Sequence, residues 1–419
     1  MASLYERRAS QVACARMLEE SVVLLEGPRS VGKSTLLRQL AEGHGAEIFD
    51  LDDIGVRRAV EANPALYASG PAPVCFDEYQ KLPVVLDAVK AELNTLDAPG
   101  RFLLAGSTRH DALPITAQAL TGRLNRLIVN PLTQTEIDGT AVNLVQAMFS
   151  ESELLIWREA STTSRADYIE RVADGGFPLA LARSSRVSKN RWFDDYIKLT
   201  LERDAVEFAN LRRASVLPAF FATLASQTAQ VLNIANASEK VGLDKKSGES
   251  YLRLLESVFL IQRIPAWKNT LSSRATSSPK LHVVDSGIAA RLLHLSPEKL
   301  AHRDPASLTQ FGHLLETFVL GELQRHASWI DGLSTVSHWR TRDNHEVDVV
   351  IERDDGRVIA FEVKTGTNIP SKELGPMVKL RDELGDRFIA GAVLYTGGLS
   401  YTPQDRIHVL PVDRLWRTR

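Results

Sequence analysis

The sequence predicts an α/β chain of more than one domain, with a parallel sheet first and a smaller α/β unit last. Three patterns lead there. Short apolar runs at residues 22–26, 47–51, 73–77, 101–105 and 126–130 alternate with helical periodicity, as in a parallel sheet covered on both faces. From about residue 141 to 310 the alternation is replaced by helical patterns, with a helix-turn-helix near the middle. From Gly312 the order becomes helix, three strands, helix, strand. The expected domains are therefore 1–140, the sheet domain; 141–215, a helical linker or lid; 216–310, a winged-helix-like domain; and 311–419, the closing α/β domain.

Composition sets outer limits. A chain of 419 residues suggests two or three domains, and 44% hydrophobic with 24% charged residues excludes wholesale disorder. Lys and Arg number 50 and Asp and Glu 52, a net charge of −2, so a nucleic acid would have to be met by a local patch. Cys14 and Cys75 are too few for a disulfide framework, and a reducing, cytoplasmic setting is expected. The longest uncharged run, residues 214–238, includes Pro218, Gln227, Gln230, Asn233 and Asn236. These groups are costly in lipid, so buried helices are expected there and no membrane partner.

The first domain carries the clearest chemistry. Gly27-Pro28-Arg29-Ser30-Val31-Gly32-Lys33-Ser34 matches G-x-x-x-x-G-K-[ST], follows an apolar strand and opens a helix at Thr35. Glycines let successive N–H groups turn toward phosphates, and the helix N-terminus adds a favourable field. Gly27, Arg29, Ser30, Val31, Gly32, Lys33, Ser34 and Thr35 are thus expected to bind ATP. Lys33 would face solvent in the empty loop and supply charge to the β- and γ-phosphates, while Ser34 offers a hydroxyl to Mg²⁺. Val74-Cys75-Phe76-Asp77-Glu78 is an apolar strand ending in two acids. Asp77 would hold Mg²⁺ and Glu78 would polarise the attacking water. A further strand ends in Gly106-Ser107-Thr108, where Ser107 or Thr108 could sense the γ-phosphate. Arg123, after Gly122, is a candidate arginine finger reaching a neighbouring subunit, which implies a homo-oligomer.

In this order, Gly-Pro-Arg-x-Val-Gly-Lys-Ser-Thr, Phe-Asp-Glu-x-Gln-Lys-x-Pro, Ala-Gly-Ser, Leu-x-Gly-Arg and Pro-Leu, the chain resembles an AAA+-type ATPase family of bacteria and archaea. That family joins an ATPase domain to a C-terminal domain of unknown function. Gly175-Gly176-Phe177-Pro178, Glu202-Arg203-Asp204 and Val284-Asp285-Ser286-Gly287 extend the resemblance over most of the chain. It implies ATP binding and a five-stranded core.

In the middle region, residues 231–241, a turn at Gly242-Leu243-Asp244 and residues 245–257 read as helix, turn, helix, with Leu252, Leu255 and Phe259 on the buried face. A strand is expected at 258–264. The stretch 257–284 holds Arg263, Lys268, Arg274 and Lys280 and no acid. A basic wing of this kind would contact DNA phosphates.

The last domain holds a second set of chemical groups. Glu316 lies on a helical apolar stripe with Val319, Leu320 and Leu323. Glu346-Val347-Asp348 and, after a turn, Glu362-Val363-Lys364 give an acid followed by acid-x-Lys on the neighbouring strand. This resembles the PD-(D/E)XK nuclease superfamily. The resemblance implies that Asp348 and Glu362 bind Mg²⁺, that Lys364 positions water, and that Glu316 helps hold the metal. A three-residue loop Asp354-Asp355-Gly356 would place Asp348 opposite Glu362, whereas a two-residue turn would put Asp348 on the other face.

Two functions are compatible with these motifs. One is an Mg²⁺-dependent ATPase acting on DNA through a winged helix and a nuclease-like tail. The other is an ATP-gated switch or antitoxin-type partner of proteins, with the tail as an inactive scaffold.

Overall fold

The computed structural model describes residues 5–110, 120, 122–205, 214–267 and 278–417. They fall into two compact units, 1–132 with 256–259, and 133–255 with 260–419. Among the described residues, no helix is long and apolar enough to cross a membrane.

The first unit is built on parallel strands β1 (Val22–Glu26), β2 (Ile48–Asp50), β3 (Val74–Asp77), β4 (Phe102–Gly106) and β5 (Leu124–Ile128). Their order is β2-β3-β4-β1-β5. Every residue of β1, β3 and β4 is buried, which is why these strands read as apolar runs rather than alternations. Leu24, Phe76, Phe102 and Leu104 pack with Val85, Leu86 and Val89 of the helix Val84–Thr95. Strand β5 starts at Leu124 rather than at residue 126, because its ladder with β1 pairs Leu124 with Val22 and ends at Ile128 opposite Glu26.

In the second unit, the helices Ile234–Lys240 and Lys245–Ser257 are joined by a turn with Gly242 at φ 69°. The first helix is shorter than expected, because β6 (Gln230–Val231) is drawn into a sheet and Asn233 caps the helix through Asn236 N–H. Asp244 closes the turn, accepting from the Ser247 N–H and hydroxyl at 3.0 and 2.6 Å. The helices cross closely: a Cβ on Gly248 would lie 1.9 Å from Ser238 Oγ. Leu252, Leu255 and Phe259 are buried as expected. The strand after them begins only at Ile261, because Phe259 takes a left-handed φ of 57° that ends the helix and delays extension. β7 (Ile261–Ile264) and β8 (Lys280–Val283) pair antiparallel, and β8 is the central strand in the order β6-β8-β7.

The helix Pro305–Ser328 begins seven residues before Gly312, where Asp304 accepts from Ala306 N–H and Ser307 N–H. It is followed by β9 (Leu333–Arg340), β10 (Glu346–Arg353), β11 (Val358–Lys364), the helix Gly375–Leu384 and β12 (Phe388–Tyr395), the expected order. A hairpin of β13 (Tyr401–Gln404) and β14 (Ile407–Pro411) extends the sheet to β13-β14-β12-β11-β10-β9. Glu322 of the long helix is fully buried, accepting from Gln134 N–H at 2.9 Å and facing Arg325 at 3.3 Å.

Candidate functional site

Residues 27–32 form the loop between β1 and the helix Lys33–His44. Gly27 has no room for a side chain, since a Cβ would lie 2.2 Å from the Val129 carbonyl oxygen. Ser30 and Gly32 have φ of 62° and 98°, a turn that lets consecutive N–H groups converge on an anion. Lys33 corrects the expectation of a solvent-facing ammonium. It is 4% exposed, and its Nζ donates to the carbonyls of Gly27 at 2.9 Å and Pro28 at 2.7 Å. The loop's own carbonyls satisfy the cation. Val31 is buried, Arg29 and Thr35 are half-buried, and Ser34 is exposed. Arg7, which no motif had marked, donates to the Val31 and Asn130 carbonyls, both at 2.6 Å, and so braces the loop.

Asp77 ends β3 and accepts from Glu78 N–H at 3.0 Å, with the Ser34 hydroxyl close enough to act on its carboxyl. Burial raises its carboxyl above the usual range, and the Ser34 contact opposes that shift. A neighbouring hydroxyl and carboxylate are suited to Mg²⁺, so Ser34 and Asp77 would hold it. Glu78 follows with φ 52°. The Ser107 hydroxyl donates to Glu78 Oε2 at 3.0 Å, and the Gln80 amide donates both to Glu78 and to Ser107 Oγ. Ser107 thus orients Glu78. Gln80 lies in the Phe-Asp-Glu-x-Gln-Lys-x-Pro motif, two residues past the acids, but the motif assigns it no role. Glu26, at the end of β1, is also fully buried, paired with Arg126 and accepting from His110 N–H. A carboxylate closing a five-residue apolar strand was its only signal.

Arg123 lies before Leu124, whose partner Val22 opens β1, so it stands at the sheet end away from the phosphate loop. It contacts Asn94 Oδ1 at 2.8 Å and Asp97 at 3.4 Å.

The motifs around Gly175 and Asp285 come together in the second unit. Asp285 caps the helix Ser286–Leu292 through Gly287 and Ile288 N–H, and it also accepts from Gly176 N–H at 2.8 Å. Burial raises its carboxyl, and Arg325 works against that. On the helix Lys245–Ser257, Lys246, Ser250 and Arg253 are exposed at a spacing that shares one face. Of the wing residues, Lys268 and Arg274 lie outside the described residues, and half-exposed Arg263 faces Glu249 at 3.9 Å.

Lys280 requires the larger correction. It is 2% exposed and cannot meet DNA as a surface cation. Its Nζ lies 2.7 Å from Glu316, 2.5 Å from Glu346 and 3.0 Å from Asp348. Burial alone would depress this ammonium, but Asp348, Glu316 and Glu346 override it and raise its pKa. The turn that decides the register is the three-residue loop: Gly356 has φ 79° and Gly356 N–H donates to Arg353 O. Val349 then pairs with Phe361, which sets Asp348 against Glu362. Val363 N–H donates to Asp348 Oδ2 at 2.9 Å, and Lys364 Nζ donates to Glu362 Oε1 at 2.7 Å. Burial and then Asp348 push Glu362 up to about 8, against Lys364. His282 and His338, buried and close to Lys280, are held neutral, His338 with its pKa lowered to about 4.

The expected residues therefore converge, but the metal expected at Asp348 and Glu362 does not fit them. The four oxygens of these two side chains accept from Lys280 Nζ, Val363 N–H, Lys364 Nζ and Asp348 N–H. Among the described residues, no three His, Cys, Asp or Glu side chains are disposed to hold one metal ion.

Residues 19–138 match an AAA domain family, 165–299 a domain of unknown function (DUF8612) and 311–415 another (DUF4143). Uncharacterized proteins of Mycobacterium bovis and Mycobacterium tuberculosis are 26% identical over 99% of this chain and 86% of their own. A Walker-type ATPase of Pyrococcus abyssi aligns with a TM-score of 0.40 at 14% identity, over 69% of this chain and 96% of its own. The RuvB Holliday junction branch migration motor of Thermotoga maritima aligns with a TM-score of 0.26 at 18% identity, over 62% of this chain and 88% of its own. The chain thus joins a segment that matches an AAA domain to two that match domains of unknown function.

Proposed function

We propose that the chain is an Mg²⁺-dependent ATP hydrolase that uses its nucleotide cycle on DNA. The observation that carries the ATPase is Glu78, held by Ser107 and Gln80 beside Asp77 at the end of β3, together with a phosphate loop that buries Lys33. Lys33 would move from the Gly27 and Pro28 carbonyls to the phosphates, exchanging neutral acceptors for charged ones. Glu78, fixed at Oε2 by Ser107, would orient and deprotonate the attacking water. A bound Mg²⁺ would neutralise charge on the phosphates during transfer. Arg123 would serve a neighbouring subunit's nucleotide, because its own lies at the other sheet end.

The DNA reading rests on Lys246, Ser250 and Arg253, which line one exposed face of the second helix of the helix-turn-helix. ATP turnover measured with and without single- and double-stranded DNA, with the DNA watched for nicks, tests both parts. Turnover unaffected by either DNA, with no binding, would overturn the DNA part. Lys246→Ala and Arg253→Ala should each lower the salt dependence of DNA binding by roughly one contact. Mixing Arg123→Ala with Lys33→Ala chains should restore part of the lost turnover; none, with mixed oligomers formed, would end the role of Arg123 in trans.

The Lys280 ammonium among Glu316, Glu346 and Asp348 favours a second reading for the tail alone. The nuclease-like domain is then a scaffold that does not cut, compatible with an ATP-gated switch that binds proteins.

A further inference from the structure

We propose that the Lys280 side chain is the resident cation of the C-terminal acidic cluster, standing in the molecule's own covalent structure where a nuclease-like site would take a divalent metal. This rests on the scaffold reading of the tail and gives it a cause.

The stoichiometry supports it. An ammonium has three N–H donors, and here three carboxylates lie within 2.5 to 3.0 Å of Nζ. Two of the protons have acceptors in Glu316 and Asp348, and the Glu346 carboxylate lies beside the ammonium as an ion pair. Magnesium instead needs about six oxygens at roughly 2.0–2.1 Å, usually including several waters. The second cation of the cluster, Lys364, holds the remaining acid, Glu362, at 2.7 Å. Four acidic side chains are thus met by two ammoniums, with Arg340 3.6 Å from Glu346 at the edge of the cluster. A divalent ion would have to displace Lys280, which is 2% exposed where it stands, and an ammonium parted from its acids without a new partner is costly.

The backbone keeps the lysine in place. β8 is the central strand of its sheet, with Lys280 paired to Val231 of β6 on one side and to Ile264 of β7 on the other. The helix that carries Glu316 is tied to the same sheet through the adjacent Thr317, which bonds Thr228 at 2.9 Å and His282 at 3.2 Å. Acid and lysine are therefore fixed relative to one another by two separate elements, not by a mobile side chain that happens to lie nearby.

The test uses the full chain without nucleotide and Mn²⁺ alone as the probe, read by calorimetry and by melting temperature. Wild type should show no Mn²⁺ binding that depends on Asp348. Lys280→Gln should gain one Mn²⁺ equivalent, with a melting temperature raised by Mn²⁺, and both should vanish in Lys280→Gln/Asp348→Asn. Wild-type Mn²⁺ binding abolished by Asp348→Asn would overturn the proposal, as would a folded Lys280→Gln chain that gains no site. If Lys280→Gln folds poorly, refolding in Mn²⁺ should rescue it and refolding in EDTA should not; failure of that rescue, while Lys280→Arg folds normally, also overturns it. Nicking of DNA separates the two claims. Asp348-dependent nicking by wild type breaks the scaffold reading, whereas Mn²⁺ binding without nicking breaks only the assignment of the cation.

Discussion

The two domains that bear chemistry each bury a lysine, and the company each keeps is different. Lys33 rests on the Gly27 and Pro28 carbonyls, neutral acceptors belonging to its own loop. Lys280 rests on Glu316, Glu346 and Asp348, three acidic side chains, of which burial and Asp348 raise the carboxyl of Glu316. A phosphate outcompetes a carbonyl for an ammonium, because charge-assisted hydrogen bonds are roughly twice as strong as neutral ones. Nothing a solvent-borne ligand offers outcompetes three buried carboxylates. A lysine parked on neutral oxygens is poised for a ligand, and one parked on carboxylates is part of the fold.

The comparison breaks first on turnover. Lys33→Ala should lower ATP hydrolysis by on the order of 10²-fold or more, the scale of losing a preorganised charge at a developing anion. Glu78→Gln should lose turnover on a similar scale and still bind nucleotide, because Asp77, Ser34 and the phosphate loop are unchanged. A Glu78→Gln chain that failed to bind ATP in a filter or fluorescence assay would show that the two acids do not divide the work.

Stability sharpens it next. Lys280→Met leaves three carboxylates without their cation and should cost about 3–5 kcal/mol in denaturant unfolding. Lys33→Met leaves, in Gly27 and Pro28, neutral carbonyls, each losing a bond of about 1 kcal/mol and able to take water. If the two variants lost equal stability, the difference between neutral and charged partners would not be what separates these lysines.

Much of this was legible in the sequence because local rules govern it. The phosphate loop is a contiguous motif whose glycines and lysine act within eight residues, and the pairing of Asp348 with Glu362 followed from one loop, with Gly356 at φ 79°. What was not legible came from residues distant in sequence. Lys280 and Asp348 are 68 residues apart, and a lysine in a stretch free of acids reads as an exposed basic wing. Its acids came from a helix and a strand of another segment. Arg7 escaped notice for the same reason, reaching the carbonyl of Asn130, 123 residues away. Strand ends shifted by a residue or two where pairing decided them, as at Leu124, and Phe259 delayed β7 by turning left-handed.

A third buried charge tests the principle where no lysine intervenes. Glu322 is fully buried, accepts from Gln134 N–H and has Arg325 at 3.3 Å, yet burial pushes its carboxyl up to about 7, with Arg325 only partly opposing. Its ordinary value of about 4.3 applies in the unfolded chain. Between those values the folded state holds the proton more tightly than the unfolded state. The stability from this group is therefore fully present below about pH 4 and falls as pH rises through about 7. Glu322→Gln keeps an acceptor for Gln134 and removes the titration. The stability of wild type relative to this variant should drop by on the order of 1–3 kcal/mol from pH 4.5 to 7.5, measured by urea unfolding at a series of pH values. A difference that stays flat over that range would mean Arg325 satisfies Glu322 as fully as the three carboxylates satisfy Lys280, and that one imperfect partner is enough.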